Sequence, residues 1–498
     1  MPARPVGARL ARLCGLGLVW GFGVAVGVGS AWAQALPPTV SAALKKAGIP
    51  ADALSVAVAS TDASQPPRLR VGAERPVNPA SVMKLVTTYA ALDMLGPQFT
   101  WRTPFWVDGT VHQGLLRGNL HIQGGGDPKF VMERITAALQ AVQAQGVTVI
   151  RGDMVLDQSG FQLPPVDPAA FDGERFRPYN ATPQALLVNF KSLVLGFVPD
   201  VAAGVARITV EPPLQGVQVD TVVPLSGGAC GDWRTGLHAR LDDPERVRFV
   251  GSFPSRCGER TWPVAYTDPE RFAERALEGL WRANGGLLTG QVRQGGVPPT
   301  ARPLLEAQSL PLSDIIADVN KFSNNIMAQQ VFLTLGRVPP ERERRPGEAT
   351  LAGAGSFERS RARIGQWWRS RFGARVPEPV LDNGSGLSRE ERVSADGLLA
   401  LLRDAAHHPQ SDVLMQSLPV AGVDGTAARM GERGILKQAL GQARVKTGSL
   451  RDVAAVAGYV QGQGASAWAV VAIVNHPQAA QARPVLDAVL EWAAGLPR

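Results

Sequence analysis

The order of apolar and polar positions changes character along the chain. Residues Ala53–Ser60 form a short β-rich run, with Arg68–Val71 placed to pair with it. Pro76 and Pro79 punctuate the chain. From Ser81 onward, Leu85, Tyr89 and Leu92 recur at helical spacing until Gly96-Pro97 stops the run. Between about residues 101 and 300, short strand patterns dominate: Leu120–Gln123, Met154–Leu156, Ala206–Val210 and Val217–Val223. Gly and Pro turns separate them, which predicts an all-β or α+β insert. Helical periodicity returns over Leu312–Gly336, followed by a charged, turn-rich loop at Pro339–Glu358. Two strand patterns, Val453–Val460 and Ala467–Val474, flank Gln461-Gly462-Gln463-Gly464 and read as a hairpin. A helix over Pro484–Ala494 closes the chain, its proline suited to the first turn. The sequence contains no internal repeat.

The first residues follow another logic. Arg4, Arg9 and Arg12 precede the apolar run Leu13–Val28, and Ala31-Trp32-Ala33 sets small residues where a signal peptidase reads. This predicts a signal peptide over residues 1–33, cut after Ala33, and an exported, periplasmic product. The competing reading, a membrane anchor, needs about 20 apolar residues, and the run is short for that. Cys14 lacks the small preceding residue of a lipoprotein site, because Leu13 stands there.

Composition narrows the class. The 498 residues are 45% hydrophobic and 19% charged, which argues against global disorder. Gly and Pro show no triplet period, so a collagen-like chain is excluded. The net charge of +8 is scattered without a long Lys/Arg run. Nucleic acid is therefore not an expected partner, and membrane association is peripheral at most. With Cys14 removed, Cys230 and Cys257 remain. An oxidising compartment favours a bridge between them, worth roughly 3–4 kcal/mol in the chain-entropy model. Two buried free thiols are the alternative. The 6 histidines form no HExxH or CxxC-linked pattern, so neither a metal nor a cofactor is expected.

Three short motifs can carry chemistry. In Ser81-Val82-Met83-Lys84 the serine and lysine sit three apart, sharing a helix face. A serine hydroxyl needs a base to become a nucleophile. A lysine can serve once burial or another cation lowers its pKa. In Ser323-Asn324-Asn325 a hydroxyl and an amide, Ser323 and Asn325, can face a cleft from between helices. In Lys446-Thr447-Gly448-Ser449 an edge strand offers a cation, hydroxyls and a glycine that lets a peptide backbone approach. Each motif alone is also met as a helix cap, a polar turn or an ordinary strand. Their order and local contexts together match the penicillin-interactive serine enzymes.

With these motifs the chain resembles the D-alanyl-D-alanine carboxypeptidase/endopeptidase group of low-molecular-mass penicillin-binding proteins that carry a large insert. The resemblance extends to Asn78-Pro79-Ala80-Ser81, Gly125-Gly126-Asp127-Pro128, Asp382–Arg389, Asp424-Gly425-Thr426 and the cysteine pair near Trp233. It implies an α+β fold: a transpeptidase/β-lactamase-like domain of five antiparallel strands flanked by helices, built from residues 35–100 and 305–498. An insert of two smaller β-rich modules, 101–304, would interrupt it. It also implies that Ser81 attacks the bond between two D-alanines and that Lys84, kept neutral by Lys446 and burial, takes the hydroxyl proton. Ser323 with Lys446 would return a proton to the leaving amine, beside Asn325. Thr447 and Ser449 would hold the terminal carboxylate beside Gly448, and backbone N–H groups of Ser81 and Ser449 would form the oxyanion hole. Peptidoglycan peptides and β-lactam antibiotics are the implied partners; the oligomeric state stays open.

Peripheral positions carry two readings each. Arg389 either faces the carboxylate of the substrate's diamino acid or makes a loop ion pair. Asp172 or Glu174 either meets the substrate ammonium or is a solvated loop acid, and Arg451 leaves fine specificity undecided. Gly124–Asp127 lacks the Gly-Lys-Ser/Thr of a phosphate cradle and reads as a turn. A β-lactamase and a non-catalytic penicillin-binding wall protein are the competing functions.

Overall fold

The computed structural model describes residues 35–339, 351–463 and 467–497. The signal-peptide reading, Cys14, residues 340–350 of the charged loop and Gly464 of the hairpin turn lie outside the described residues.

A five-stranded antiparallel sheet organises both ends of the described chain. Its strands run in the order Leu69–Val71, Leu54–Ser60, Ala467–Asn475, Val453–Gln461, Ala443–Leu450. The first pairing sets Val56 against Val71, and the last sets Lys446 against Ala457. The three central strands are apolar at almost every position because both faces are covered. Ala57, Ala455, Ala457, Val471 and Ile473 pack on one side with the helices Lys84–Leu95, Leu312–Lys321 and Ala395–Ala406. Val56, Val58, Val456, Val470 and Val474 pack on the other with Pro38–Ala47 and Arg483–Ala494. The helix Lys84–Leu95 is buried along nearly its whole length, so its sequence shows little polar face.

Residues between about 101 and 308 carry separate sheets and a separate apolar core. Its opening and closing strands, Arg102–Val107 and Arg302–Gln308, pair side by side, so the chain leaves and re-enters the sheet-and-helix unit at one place. Two five-stranded sheets, a three-stranded and a four-stranded sheet lie here, with helices at Met132–Ala144 and Phe272–Ala283. Cys230 and Cys257 are disulfide-bonded beside Trp233, Phe197 and Phe253.

Two expectations are corrected, and a third is refined. The helical stretch Leu312–Gly336 is two helices, Leu312–Lys321 and Asn325–Leu335, with the polar motif at the break between them as expected. They are broken because Ser323 adopts a left-handed φ of 55° and Asn324 caps the second helix by accepting the Met327 N–H at 3.1 Å. The run Val217–Val223 is two strands in different sheets, Gln218–Val219 and Val222–Ser226. The chain turns out at Asp220, whose carboxylate accepts the Phe249 N–H at 3.0 Å. The end of the charged loop belongs to a helix, Phe357–Phe372, capped by Ser356.

Candidate active site

The turn before Ser81 is built from backbone groups. The Asn78 side chain accepts the Ala80 N–H at 2.8 Å and donates to the Ser388 carbonyl at 2.9 Å. Its main chain is clamped by the Asn475 amide through two 2.9 Å bonds. These contacts hold Ala80 at a left-handed φ of 47°, which an alanine rarely adopts. Two glycines let other segments press on this turn. A Cβ at Gly386, whose φ is 79°, would lie 1.9 Å from the Ala80 carbonyl oxygen, and one at Gly448 would lie 2.6 Å from that of Pro79. The loop 382–388 and the edge strand thus both reach the backbone around Ser81.

Lys84 sits one helical turn on and is fully buried. Its Nζ lies 3.1 Å from Ser81 Oγ, 2.7 Å from Asn325 Oδ1 and 2.5 Å from the Ser385 carbonyl oxygen. Burial first, and the Lys446 cation second, hold its pKa well below the usual lysine value, against the pull of Glu391. Lys446 is also fully buried, on the face of the edge strand that looks toward Ala457 and the helices. Its Nζ donates to Ser323 Oγ at 2.9 Å and to the Thr447 carbonyl at 2.8 Å, and burial lowers its pKa to about 7. The left-handed turn at Ser323 sends its hydroxyl to Lys446, while Asn325, one residue past the cap, meets Lys84. Ser81, Lys84, Ser323, Asn325 and Lys446 are therefore joined in one cleft, although three distant stretches supply them.

Two contributors escaped sequence reasoning. Glu391 is fully buried and accepts four backbone N–H groups, from Asp382, Asn383, Gly384 and Gly386, at 3.2, 3.1, 2.7 and 2.8 Å. Burial nonetheless pushes its carboxyl up to about 7. The peptide between Ser385 and Gly386 gives its N–H to Glu391 and its carbonyl to Lys84, so one peptide unit links carboxylate and amine. The second contributor is the Tyr179 carbonyl, which accepts the other end of the Asn325 amide, Nδ2, at 3.2 Å.

The remaining candidates line the surroundings. Thr447 Oγ1 pairs with Thr426 Oγ1 at 2.9 Å, placing the Asp424-Gly425-Thr426 segment beside the edge strand, and Ser449 is exposed farther along it. Arg389 is exposed; it lies 5.0 Å over the Phe171 ring, donates to the Phe171 carbonyl at 3.3 Å, and makes no ion pair among the described residues. Asp172 accepts from Tyr179, Asn180 and the Glu174 N–H, so it is engaged by its own loop, and Glu174 pairs with Arg177 at 3.3 Å. Arg451 is exposed at the turn after the edge strand. A cavity of about 940 Å³ opens next to the cleft, lined among others by Phe171, Tyr179, Asn180, Leu387, Ser388 and Arg389.

This fold and this cluster define a hydrolase of the penicillin-binding-protein class. The chain belongs to the D-Ala-D-Ala carboxypeptidase 3 (S13) family, whose model matches residues 36–496. It is 29% identical over 418 residues to a D-alanyl-D-alanine carboxypeptidase of Actinomadura sp. (strain R39), covering 79% of this chain and 72% of the relative. It is 26% identical over 402 residues to the D-alanyl-D-alanine carboxypeptidase DacB of Haemophilus influenzae, 80% of each. The crystal structure of penicillin-binding protein 4 (dacB) from H. influenzae superimposes with a TM-score of 0.70 at 24% identity, over 91% of this chain and 99% of that one. The same protein complexed with a novel β-lactam gives 0.66 at 23% identity, with the same coverage.

Proposed function

We propose that the protein is a serine-type D-Ala-D-Ala carboxypeptidase/endopeptidase that acts on peptidoglycan stem peptides through an acyl-enzyme on Ser81. The observation that carries this reading is the environment of the Lys84 amine. A neutral amine has two hydrogens and one lone pair. Asn325 Oδ1 and the Ser385 carbonyl can only accept, so they take the two hydrogens, and the lone pair is left for the Ser81 hydroxyl.

The steps follow from that geometry. Ser81 Oγ bonds to the carbonyl carbon between the two D-alanines while its proton passes to Lys84. The C–N bond breaks, and the leaving amine receives a proton through Ser323, which hydrogen-bonds Lys446. With that proton drawn ultimately from Lys84, the lysine amine is neutral again; it takes a proton from the water that attacks the ester carbonyl and returns it to Ser81 Oγ as the ester C–O bond breaks. Thr447 and Ser449 are assigned to the terminal carboxylate, Gly448 to close approach of the peptide, and Arg389 to a carboxylate on the stem. β-Lactams acylate Ser81 by the same attack. A catalytic domain of residues 35–100 and 305–498 with an insert of 101–304 is supported by the separate apolar cores and by the pairing of Arg102–Val107 with Arg302–Gln308. Export to the periplasm fits a peptidoglycan substrate.

The test is release of D-alanine from a pentapeptide together with labelling by fluorescent penicillin. Both are expected in the unsubstituted protein, and both are lost in Ser81→Ala. Labelling that survives Ser81→Ala overturns the reading. Rapid turnover of the penicillin adduct would favour a β-lactamase instead.

A further inference from the structure

A second cavity, of about 620 Å³, adjoins the cavity beside the cleft along the segment Leu163–Asp167. The two cavities share the segment Leu163, Pro164, Val166 and Asp167, with Thr182, Pro183 and Phe357, as walls. The second is lined by an amine that the proposed mechanism does not use. Lys191 is only 3% exposed, and Thr182 Oγ1, at 3.0 Å, is the one hydrogen-bond partner of its Nζ among the described residues. An ammonium carries three donors, so two are left over.

The backbone that buries this lysine is unusual. Asn189, Phe190 and Lys191 have left-handed φ values of 42°, 56° and 51° in succession. Non-glycine residues adopt that conformation rarely, and it persists where the surroundings fix it. Here the Asn189 side chain accepts the Met132 N–H at 3.2 Å and donates to the Ser192 carbonyl at 3.0 Å. Two more buried polar atoms in the cavity's lining lack partners among the described residues: Gln158 Nε2 and Gln184 Oε1. Of the lining acids, Glu270 acts on Lys191 without pairing to it within 4 Å, and Asp167 is engaged by Arg175 at 3.4 Å. Phe161, Leu163, Pro164, Pro165 and Phe357 supply apolar wall.

A buried, under-partnered cation with apolar side chains around it suits a peptide end that bears a carboxylate. We propose that this cavity binds such an end on the second peptide arm of a cross-linked substrate, with the carboxylate on Lys191. The first arm occupies the neighbouring cavity beside the cleft, and the shared wall places the second arm next to it. The inference rests on the peptidoglycan reading of the catalytic site and adds to it a subsite on the intervening segment, with Lys191 at its floor.

The experiment compares steady-state kinetics on a purified cross-linked muropeptide dimer and on the monomeric pentapeptide, with penicillin acylation as a third readout. Lys191→Met is expected to raise KM for the dimer roughly tenfold, as loss of one charge-assisted hydrogen bond would. Lys191→Arg restores it to within about threefold, because the cation is kept. Pentapeptide kcat/KM and penicillin acylation should move by less than about twofold, since neither ligand carries a second arm. Pro165→Trp fills the rim of this cavity alone and should mimic Lys191→Met; it decides the matter if the buried substitution prevents folding. An unchanged dimer KM in Lys191→Met and Pro165→Trp overturns the proposal, and so does an equal loss on dimer, pentapeptide and penicillin. Failure of the unsubstituted protein to acylate with penicillin counts against the catalytic reading, not against this one.

Discussion

Burial first and repulsion from the neighbouring Lys446 second lower the hold of Lys84 on its proton. Replacing Lys446 by Met removes that repulsion and raises the Lys84 pKa. The acid limb of penicillin acylation is therefore expected to move to higher pH, and stopped-flow acylation rates against pH check it. The same lysine gives a stability signature. Its folded pKa of about 7 lies below the unfolded value of 10.5, so the unfolded chain binds more protons between them. The stabilisation is complete above 10.5 and is lost as pH falls toward 7. The melting temperature of the unsubstituted protein, relative to Lys446→Met, should then rise between pH 7 and pH 10. Glu391→Gln tests the carboxylate that orders loop 382–388. A glutamine would set an NH₂ group among N–H donors, costing about 1–3 kcal/mol. Acylation is expected to slow about tenfold or more. Its acid limb should move to lower pH, because the charge that favours protonated Lys84 is gone. An unshifted limb would leave Glu391 a purely structural role. Side chains such as Ser81, Lys84 and Lys446 were legible because their spacing is distinctive. The carbonyls of Ser385 and Tyr179 were not, since every residue has one and only the fold aims them.

At the scale of elements, the break between Leu312–Lys321 and Asn325–Leu335 sets the site. The polar Ser323-Asn324-Asn325 marks the gap between helices in the sequence, but the left-handed φ of Ser323 that aims its hydroxyl is set by the fold. Asn324→Ala removes the cap and should cost about 1 kcal/mol of stability. Asn325 begins the capped helix, so acylation should slow more than the lost stability implies; melting temperature and acylation rate measured on the same sample separate the two. The helix Met132–Ala144 went unread because its buried face is Ile135, Ala138, Leu139 and Val142, with little contrast against the alanines around it. Phe272–Ala283 does carry a plain helical stripe, Phe272, Ala276, Leu277, Leu280 and Trp281, which the strand-dominated reading of residues 101–300 passed over.

In the whole molecule, the hairpin Val453–Gln461 with Ala467–Asn475 was legible from local pattern. The pairing of Leu54–Ser60 with Ala467–Asn475 was not, because contacts so distant in sequence leave no periodic trace. The disulfide joins residues 27 apart in the insert. Changing Cys230 and Cys257 to Ala should destabilise the insert by roughly 3–4 kcal/mol while leaving penicillin acylation at Ser81 near its original rate, read by calorimetry and gel labelling. A parallel collapse of acylation would show that the two parts unfold as one. The Asn325 amide gives this question weight. Its oxygen accepts from the Lys84 amine, while its NH₂ donates to the Tyr179 carbonyl of the intervening segment. Excising that segment to make a minimal catalyst would leave every reactive side chain in place, yet unmoor the amide that orients the amine. In the proposed mechanism the intervening segment therefore steadies the Lys84 amine, and versions of this chain without it should acylate more slowly until that anchor is rebuilt.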